Sequence, residues 1–219
     1  MGIIQYLFSD PALFISLTIC LVFSLCFHEY AHGITAYYLG DDTAYRHGRL
    51  TLNPIAHLDP IGTLMILFIG FGYAKPVPVN TNNLNNPQTD IVKVAAAGPI
   101  SNLILCFMGI LIFHIFAEDS SHSFILFLQI FISINTALAV FNLIPVYPLD
   151  GGQIFGTILS RKYPHYATNL LIYGPRVLLG LILFGIITGY SIIWIIIKPF
   201  INIIISFFET IVLLLVRLF

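Results

Sequence analysis

Charge is the scarcest property of this chain. Only 9% of its 219 residues are Asp, Glu, Lys or Arg while 58% are hydrophobic, and the mean hydropathy of +0.94 lies far outside the range of soluble globular domains. Lys and Arg number 9 against 10 Asp and Glu, so there is no basic face or polybasic tail, and nucleic acid is excluded as a partner. Cysteine is nearly as scarce. Cys20, Cys26 and Cys106 lie in apolar runs at spacings that match no metal or disulfide pattern, and they read as small core residues. Also missing is a polar stretch long enough for a separate catalytic or ligand-binding module. The chain is therefore expected to be an integral membrane protein, a single domain over 1–219 whose activity comes from the membrane core itself. The start, MGIIQYLFSD, lacks the positive region of a signal peptide, so the first apolar run is expected to stay in place.

What is there is a series of long apolar runs. Crossing about 30 Å of hydrocarbon takes roughly 20 helical residues. Runs from Pro11 to Gly40, Ile91 to Ala117, Ser123 to Ile144 and Val177 to Ile197, with a last one after Lys198-Pro199 that ends at Arg217, predict five transmembrane helices. Ile61 to Ala74, IGTLMILFIGFGYA, is about 14 residues, short for a span and suited to a re-entrant or half-spanning segment. TAYRHGRLTLNP alternates polar and apolar residues around His47-Gly48, predicting a small β-hairpin at the cytoplasmic face, and AKPVPVNTNNLNNPQ reads as an extended loop. The fold class is an all-α polytopic membrane protein with that half-span and hairpin. Arg46, Arg49, Lys75, Lys93, Arg161, Lys162 and Arg176 are placed on the cytoplasmic side, and AEDSSHS, which has no Lys or Arg, outside. Lys198 alone dissents.

Into the first run falls CFHEYAHG, residues 26–33. On a helix His28 and His32 share one face, one turn apart, where both rings can reach one cation. Glu29 is placed to hold a water on that cation. An ionisable group near the middle of a spanning helix costs at least about 2.5–3.5 kcal/mol, so a cluster of them needs a strong partner. A metal supplies one. Catalytic zinc usually takes three protein ligands and leaves one position open. Among the acids, Asp150 and Glu209 call for an explanation besides Glu29. Asp150 follows Pro145 and Pro148, which break the third span, and precedes Gly151-Gly152, which permit an irregular turn. Non-helical backbone at membrane depth belongs where it is buried or lines a wet cavity. Both elements head toward the same leaflet, which makes Asp150 the stronger candidate for a third ligand. Glu209 has no His or second acid at helical spacing and reads as a packing or subunit-contact residue that faces protein.

These motifs resemble those of the site-2 proteases, intramembrane zinc metalloproteases of peptidase family M50. HEYAH is similar to the family's His-Glu-x-x-His, FNLIPVYPLDGG to its Asn-x-x-Pro-x-x-x-x-Asp-Gly element, and AAAGPISN to its Gly-Pro-x-x-Asn stretch. GRLTLNPIAHLDPIGT and AKPVPVN resemble the compact bacterial branch that has no PDZ or CBS domains. The likeness runs from about Cys26 to Leu159 and departs at Ile61–Ala74, which is shorter than the family pattern. It implies a catalytic core over about 11–160 with accessory helices over about 170–219, one Zn2+ per chain on His28, His32 and Asp150, and Glu29 as general base. Asn142 is implied near the substrate or the oxyanion. Asn102 and His57, with Asp59, are candidates for the access route, the alternative being hydrogen-bonded loop and helix-start residues. The implied substrate is a transmembrane-helix protein cut within or near its helix, as in regulated intramembrane proteolysis. The implied setting is the lipid bilayer of a bacterial inner membrane, with the site toward the cytoplasm and the chain a possible homo-oligomer. The competing function is a zinc-binding carrier or an inactive relative that holds client helices. A carrier would show paired broken helices in two repeated halves, and an inactive relative would have lost Glu29 or a ligand. Neither departure is present.

Overall fold

The structure, a computed structural model, describes residues 2–117 and 120–217. Glu118 and Asp119, the acids of the connection expected outside, lie outside the described residues. The helices among those residues are α1 (Tyr6–Ser9), α2 (Pro11–Tyr38), α3 (Thr43–Arg46), α4 (Pro54–His57), α5 (Pro60–Ile69), α6 (Pro87–Phe116), α7 (His122–Asn142), α8 (Asp150–Ser160), α9 (Pro164–Thr188) and α10 (Ile192–Val216). Five of them, α2, α6, α7, α9 and α10, are long and apolar enough to cross a membrane.

Helix starts follow local chemistry. Pro11 opens α2 behind Asp10, whose carboxylate accepts from the Leu13 N–H at 3.0 Å, a cap and a ring already set for the first turn. The same pairing of Asp59 with Pro60 opens α5, with Gly62 N–H donating at 2.9 Å. At the centre stands α6, packed against α2, α7, α8 and α10. Besides Ile91, Val94, Leu105 and Ile110, it buries a run of small or polar residues, Ala95, Gly98, Ser101, Asn102, Cys106 and Gly109, which lets backbones approach closely where lipid supplies no hydrophobic drive. Peripheral α9 buries only Gly174 and Leu178.

The hairpin expected over 43–54 is absent. Among the described residues the β pairing consists of one isolated antiparallel bridge, Leu58 to Ala74. Thr43–Arg46 turns helical because Asp41 accepts from both the N–H (3.1 Å) and the hydroxyl of Thr43, and Arg46 Nη2 pairs with Asp42 at 2.7 Å one turn back. These local bonds outweigh a brief polar–apolar alternation. Ile61–Ala74 is a helix out and an extended return. Helix α5 has 10 residues, is about 15 Å long and is too short to cross a membrane. Gly70 ends it at φ +83°, and the chain comes back to the point it left, where Lys75 N–H donates to His57 O at 2.8 Å.

The last two spans are shifted from expectation. The break falls at Gly189, φ +76°, followed by Ser191, whose hydroxyl accepts from Trp194 N–H at 3.2 Å. A left-handed glycine and a serine cap are firmer stop and start signals than Pro175 and Pro199, which both sit inside helices, as neighbouring helices allow in a membrane protein. Arg176 and Lys198 therefore lie within α9 and α10 rather than in loops. Glu209 is exposed on α10, so no packing role within one chain accounts for it.

Asp41 ties the end of α2 to the extended segment that follows α5. Besides Thr43, its carboxylate accepts from Asn80 N–H at 2.7 Å and Asn83 Nδ2 at 3.0 Å. Burial alone would raise this carboxyl, but the bonds from Thr43, Asn80 and Asn83 hold it below the usual carboxylate range. A depressed folded-state pKa contributes stability above the unfolded value, near 3.9, and loses it as pH falls through the folded one. Amide exchange across 75–85 is thus expected to quicken below about pH 4, and Asp41→Ala to produce the same loosening at neutral pH.

Candidate metal centre

Helix α2 places His28 and His32 one turn apart, both buried at 4% and 8% exposure. His28 lies ten residues before Tyr38, about 15 Å inside that end of the helix. The third group arrives from α7 and α8. After Asn142 the chain makes a tight non-helical passage through Pro145 and Pro148, and Asp150 then opens α8. Gly151 and Gly152 are helical, not part of an irregular turn as their sequence suggested. Their role is close approach: a Cβ on either would collide with backbone of residues 143–147, which folds back against the first turn of α8.

The three donors meet. His28 Nε2 and His32 Nε2 are 3.1 Å apart, His28 Nε2 is 3.2 Å from Asp150 Oδ2, and His32 Nε2 is 3.4 Å from Asp150 Oδ1. Atoms about 2.0–2.1 Å from one zinc at tetrahedral angles stand about 3.3 Å apart. The tautomers agree with this geometry. Val94 O, 2.7 Å from His32 Nδ1, can only accept, so that nitrogen carries the proton. Asn102 donates through Nδ2 to Asn135 Oδ1 at 2.9 Å and to Ser24 O at 3.3 Å, so its Oδ1, 2.6 Å from His28 Nδ1, accepts. Both Nε2 lone pairs then face each other, an arrangement that repels unless a cation lies between. Asp150 Oδ2 is buried with no hydrogen-bond donor, and a Cβ on Gly98 would strike Nε2 of both histidines. An orphaned carboxylate oxygen, two bare imidazole nitrogens and a gap kept clear by glycine fit a zinc ion.

Glu29 turns aside from this cluster, its Oε2 accepting from Val77 N–H at 2.9 Å. The backbone of the extended AKPVPVN segment thereby fixes one carboxylate oxygen. Asn142 is half-buried at the end of α7, its amide donating to Leu138 O at 3.0 Å. Asn102 and His57 are fully buried: the first stands behind His28, and the second holds Thr51 O at 2.7 Å. Asp59 caps α5. The structure brings His28, His32, Asp150 and Asn102 together and leaves His57 at the end of α4 and Asp59 at the start of α5. Asn135 escaped sequence reasoning, although an asparagine in mid-span seven residues before Asn142 was a visible signal. Replacing it by Leu frees Asn102 to turn and releases His28. Outer partners of this kind typically govern 10–100-fold in metal affinity, so Asn135→Leu is expected to weaken zinc binding by about that factor, measured by chelator competition.

Comparison with known proteins agrees with the geometry. The model of Peptidase family M50 matches residues 110–183, which include Asp150 but not the two histidines. The "Putative zinc metalloprotease YwhC" of Bacillus subtilis is 40% identical over 197 residues, 87% of this chain and 89% of that protein. The similarly named Rip2 of Mycolicibacterium smegmatis is 34% identical over 140 residues, 58% of this chain and 51% of that one. Zinc metalloprotease MJ0392 of Methanocaldococcus jannaschii is 30% identical over 104 residues, 47% of this chain and 30% of that one. No solved structure matches. Near-full-length likeness to one such relative, together with the family match, means that the chain belongs to peptidase family M50, the site-2 protease family, and is a membrane zinc metalloprotease.

Proposed function

We propose that this enzyme hydrolyses peptide bonds in or near transmembrane helices of membrane proteins, with His28, His32 and Asp150 holding the zinc and Glu29 acting as general base. The observation that carries the reading is the cluster of donor atoms, two imidazole nitrogens 3.1 Å apart with the Asp150 oxygens Oδ2 and Oδ1 3.2 and 3.4 Å from them, set about 15 Å inside the end of a spanning helix. Bound there, zinc supplies a Lewis acid and lowers the pKa of water toward about 7. The chain supplies the rest. Glu29, steadied through Oε2 by Val77 N–H, keeps Oε1 to take a proton from the attacking water and return it to the leaving nitrogen. Asn142, at the end of the helix that leads to Asp150, would bond the substrate carbonyl oxygen once its amide leaves Leu138 O.

The whole chain acts as one intramembrane domain, with a core over 11–160 and accessory helices over 170–219. An apolar groove of about 360 Å3, lined in part by Val22, Phe23, Cys26, Leu52 and Pro54, runs beside the half of α2 that leads to His28 and suits an approaching substrate helix. The cytoplasmic side of a bacterial inner membrane is favoured for the site. Arg46 and Arg49 follow α2, Lys75 and Lys93 stand before and in the first turns of α6, and Arg161 and Lys162 join α8 to α9. The reaction would serve regulated proteolysis, releasing a cytoplasmic product.

The test is reconstitution in liposomes with a tagged single-span protein. Cleavage within about one helical turn of the span, lost on chelation and regained with zinc, supports the reading. Cleavage confined to soluble peptides, or unaffected by chelation, overturns it.

A further inference from the structure

Helix α10 has three surfaces. Ile197, Ile201 and Val212 are buried, with Ile205 and Phe208 beside them, against Val140 of α7 and Cys106 and Ile110 of α6. Phe200, Ile203, Phe207 and Leu214 are exposed and apolar, as a lipid-facing surface should be. The third surface is different. At about 100° per residue, Lys198, Asn202, Ser206, Glu209 and Thr210 fall within about 120° of arc on the other flank, and all five are exposed.

Depth makes this flank costly in lipid. Asn202 is ten residues from Ile192 and fourteen from Val216, about 15 and 21 Å from the two ends. Glu209 is seven residues, about 10 Å, from Val216, farther than its side chain reaches. Lys198, six residues into the helix, can carry its ammonium to the surface along its own stem, but the others cannot. Among the described residues neither Asn202 nor Glu209 makes a side-chain hydrogen bond, and the Thr210 hydroxyl reaches only Ser206 O of its own helix, at 2.8 Å. Polar groups at this depth are found facing protein rather than hydrocarbon.

We propose that this flank is where two copies of the chain meet within the membrane. Copies inserted by the same signals share an orientation, so a twofold axis along the membrane normal brings α10 against α10 in parallel, each residue opposite its own counterpart. The flank is suited to that pairing. The Asn202 amide both donates and accepts, so it bonds its own counterpart, and the Ser206 hydroxyl does the same while letting the backbones approach. Glu209 lies within a turn of the opposite Ser206 and Thr210, whose hydroxyls can donate to it. A flank of one sign would call for a partner of the other. One dominated by groups that both donate and accept is complementary to itself. The inference is independent of the metal site.

Oxidative cross-linking in native membranes tests it directly, because the native thiols are at most 3% exposed. Ser206→Cys and Asn202→Cys are expected to give disulfide-linked dimers, while Phe207→Cys, at the same depth but about 100° around the helix, gives few. In liposomes, energy transfer between labelled chains is expected to report an at least about tenfold weaker dimer for Asn202→Leu combined with Glu209→Leu. Glu209→Gln retains the dimer, and zinc content is unchanged throughout. Equal cross-linking from Phe207→Cys, monomers at every protein-to-lipid ratio, or Ser206→Cys linking to a substrate helix instead of a second copy would each overturn the proposal.

Discussion

Glu29→Gln is expected to lower kcat/KM for a helical substrate by about 10²- to 10⁴-fold, the contribution a positioned general base makes, while zinc content stays at that of the parent. The separation of the two readouts follows from the geometry. The donor cluster is built from His28, His32 and Asp150, and Glu29 bonds to Val77 N–H. An amide oxygen still accepts that N–H, so the change keeps the local arrangement and removes only the capacity to carry a proton. Initial rates in liposomes, paired with metal analysis of the same preparation, decide the matter. Loss of zinc together with activity would make Glu29 a structural support of the site, and an unchanged rate would remove it from the reaction.

Gly98→Ala has the second large expected effect, a loss of zinc affinity of about 100-fold or more, at the upper end of what support of metal ligands typically governs. The added methyl would meet His28 Nε2 and His32 Nε2, the two atoms through which the rings face the metal. Flexible side chains could swing aside, but these rings are held at the rear by Asn102 Oδ1 and Val94 O, so relief requires α6 to retreat and carry both anchors with it. Gly109→Ala, on the same helix, is the control. Its methyl would press on Ile132 and Phe131, which is expected to lower Tm without lowering zinc affinity. If Gly98→Ala binds zinc like the parent, the rings are looser than their bonds imply.

Much of this architecture is legible in the chain because it rests on interactions local in sequence. The four-residue step from His28 to His32 puts both on one helix face, and the long apolar runs of α2, α6 and α7 announce spans. Local reading failed where two local signals competed. The alternation over 43–54 was outweighed by the bonds around Asp41, and Pro199 drew attention away from Gly189 and Ser191. It also could not show what depends on packing: that Val94 O and Asn102 determine which imidazole nitrogen is bare, that Asn135 braces Asn102 from α7, or that Gly98 is glycine because of what lies across from it. Asp150 was found from proline and glycine punctuation, but those glycines turned out to serve close approach rather than a bend.

The bridge between Leu58 and Ala74, reinforced by the bond from Lys75 N–H to His57 O, separates what lies inside the excursion from what lies outside. Residues 59–73 leave and return at one point, so lengthening or trimming them changes loop-closure entropy by only about 0.6 kcal/mol per doubling and moves neither anchor. Val77, two residues beyond, keeps its place on Glu29 whatever length precedes it. Variation in this stretch is thus insulated from the chemistry, and the part of α5 away from Asp59, Gly62 and the bridge offers a place where a reporter or an altered membrane anchor can be grafted without retuning the active site.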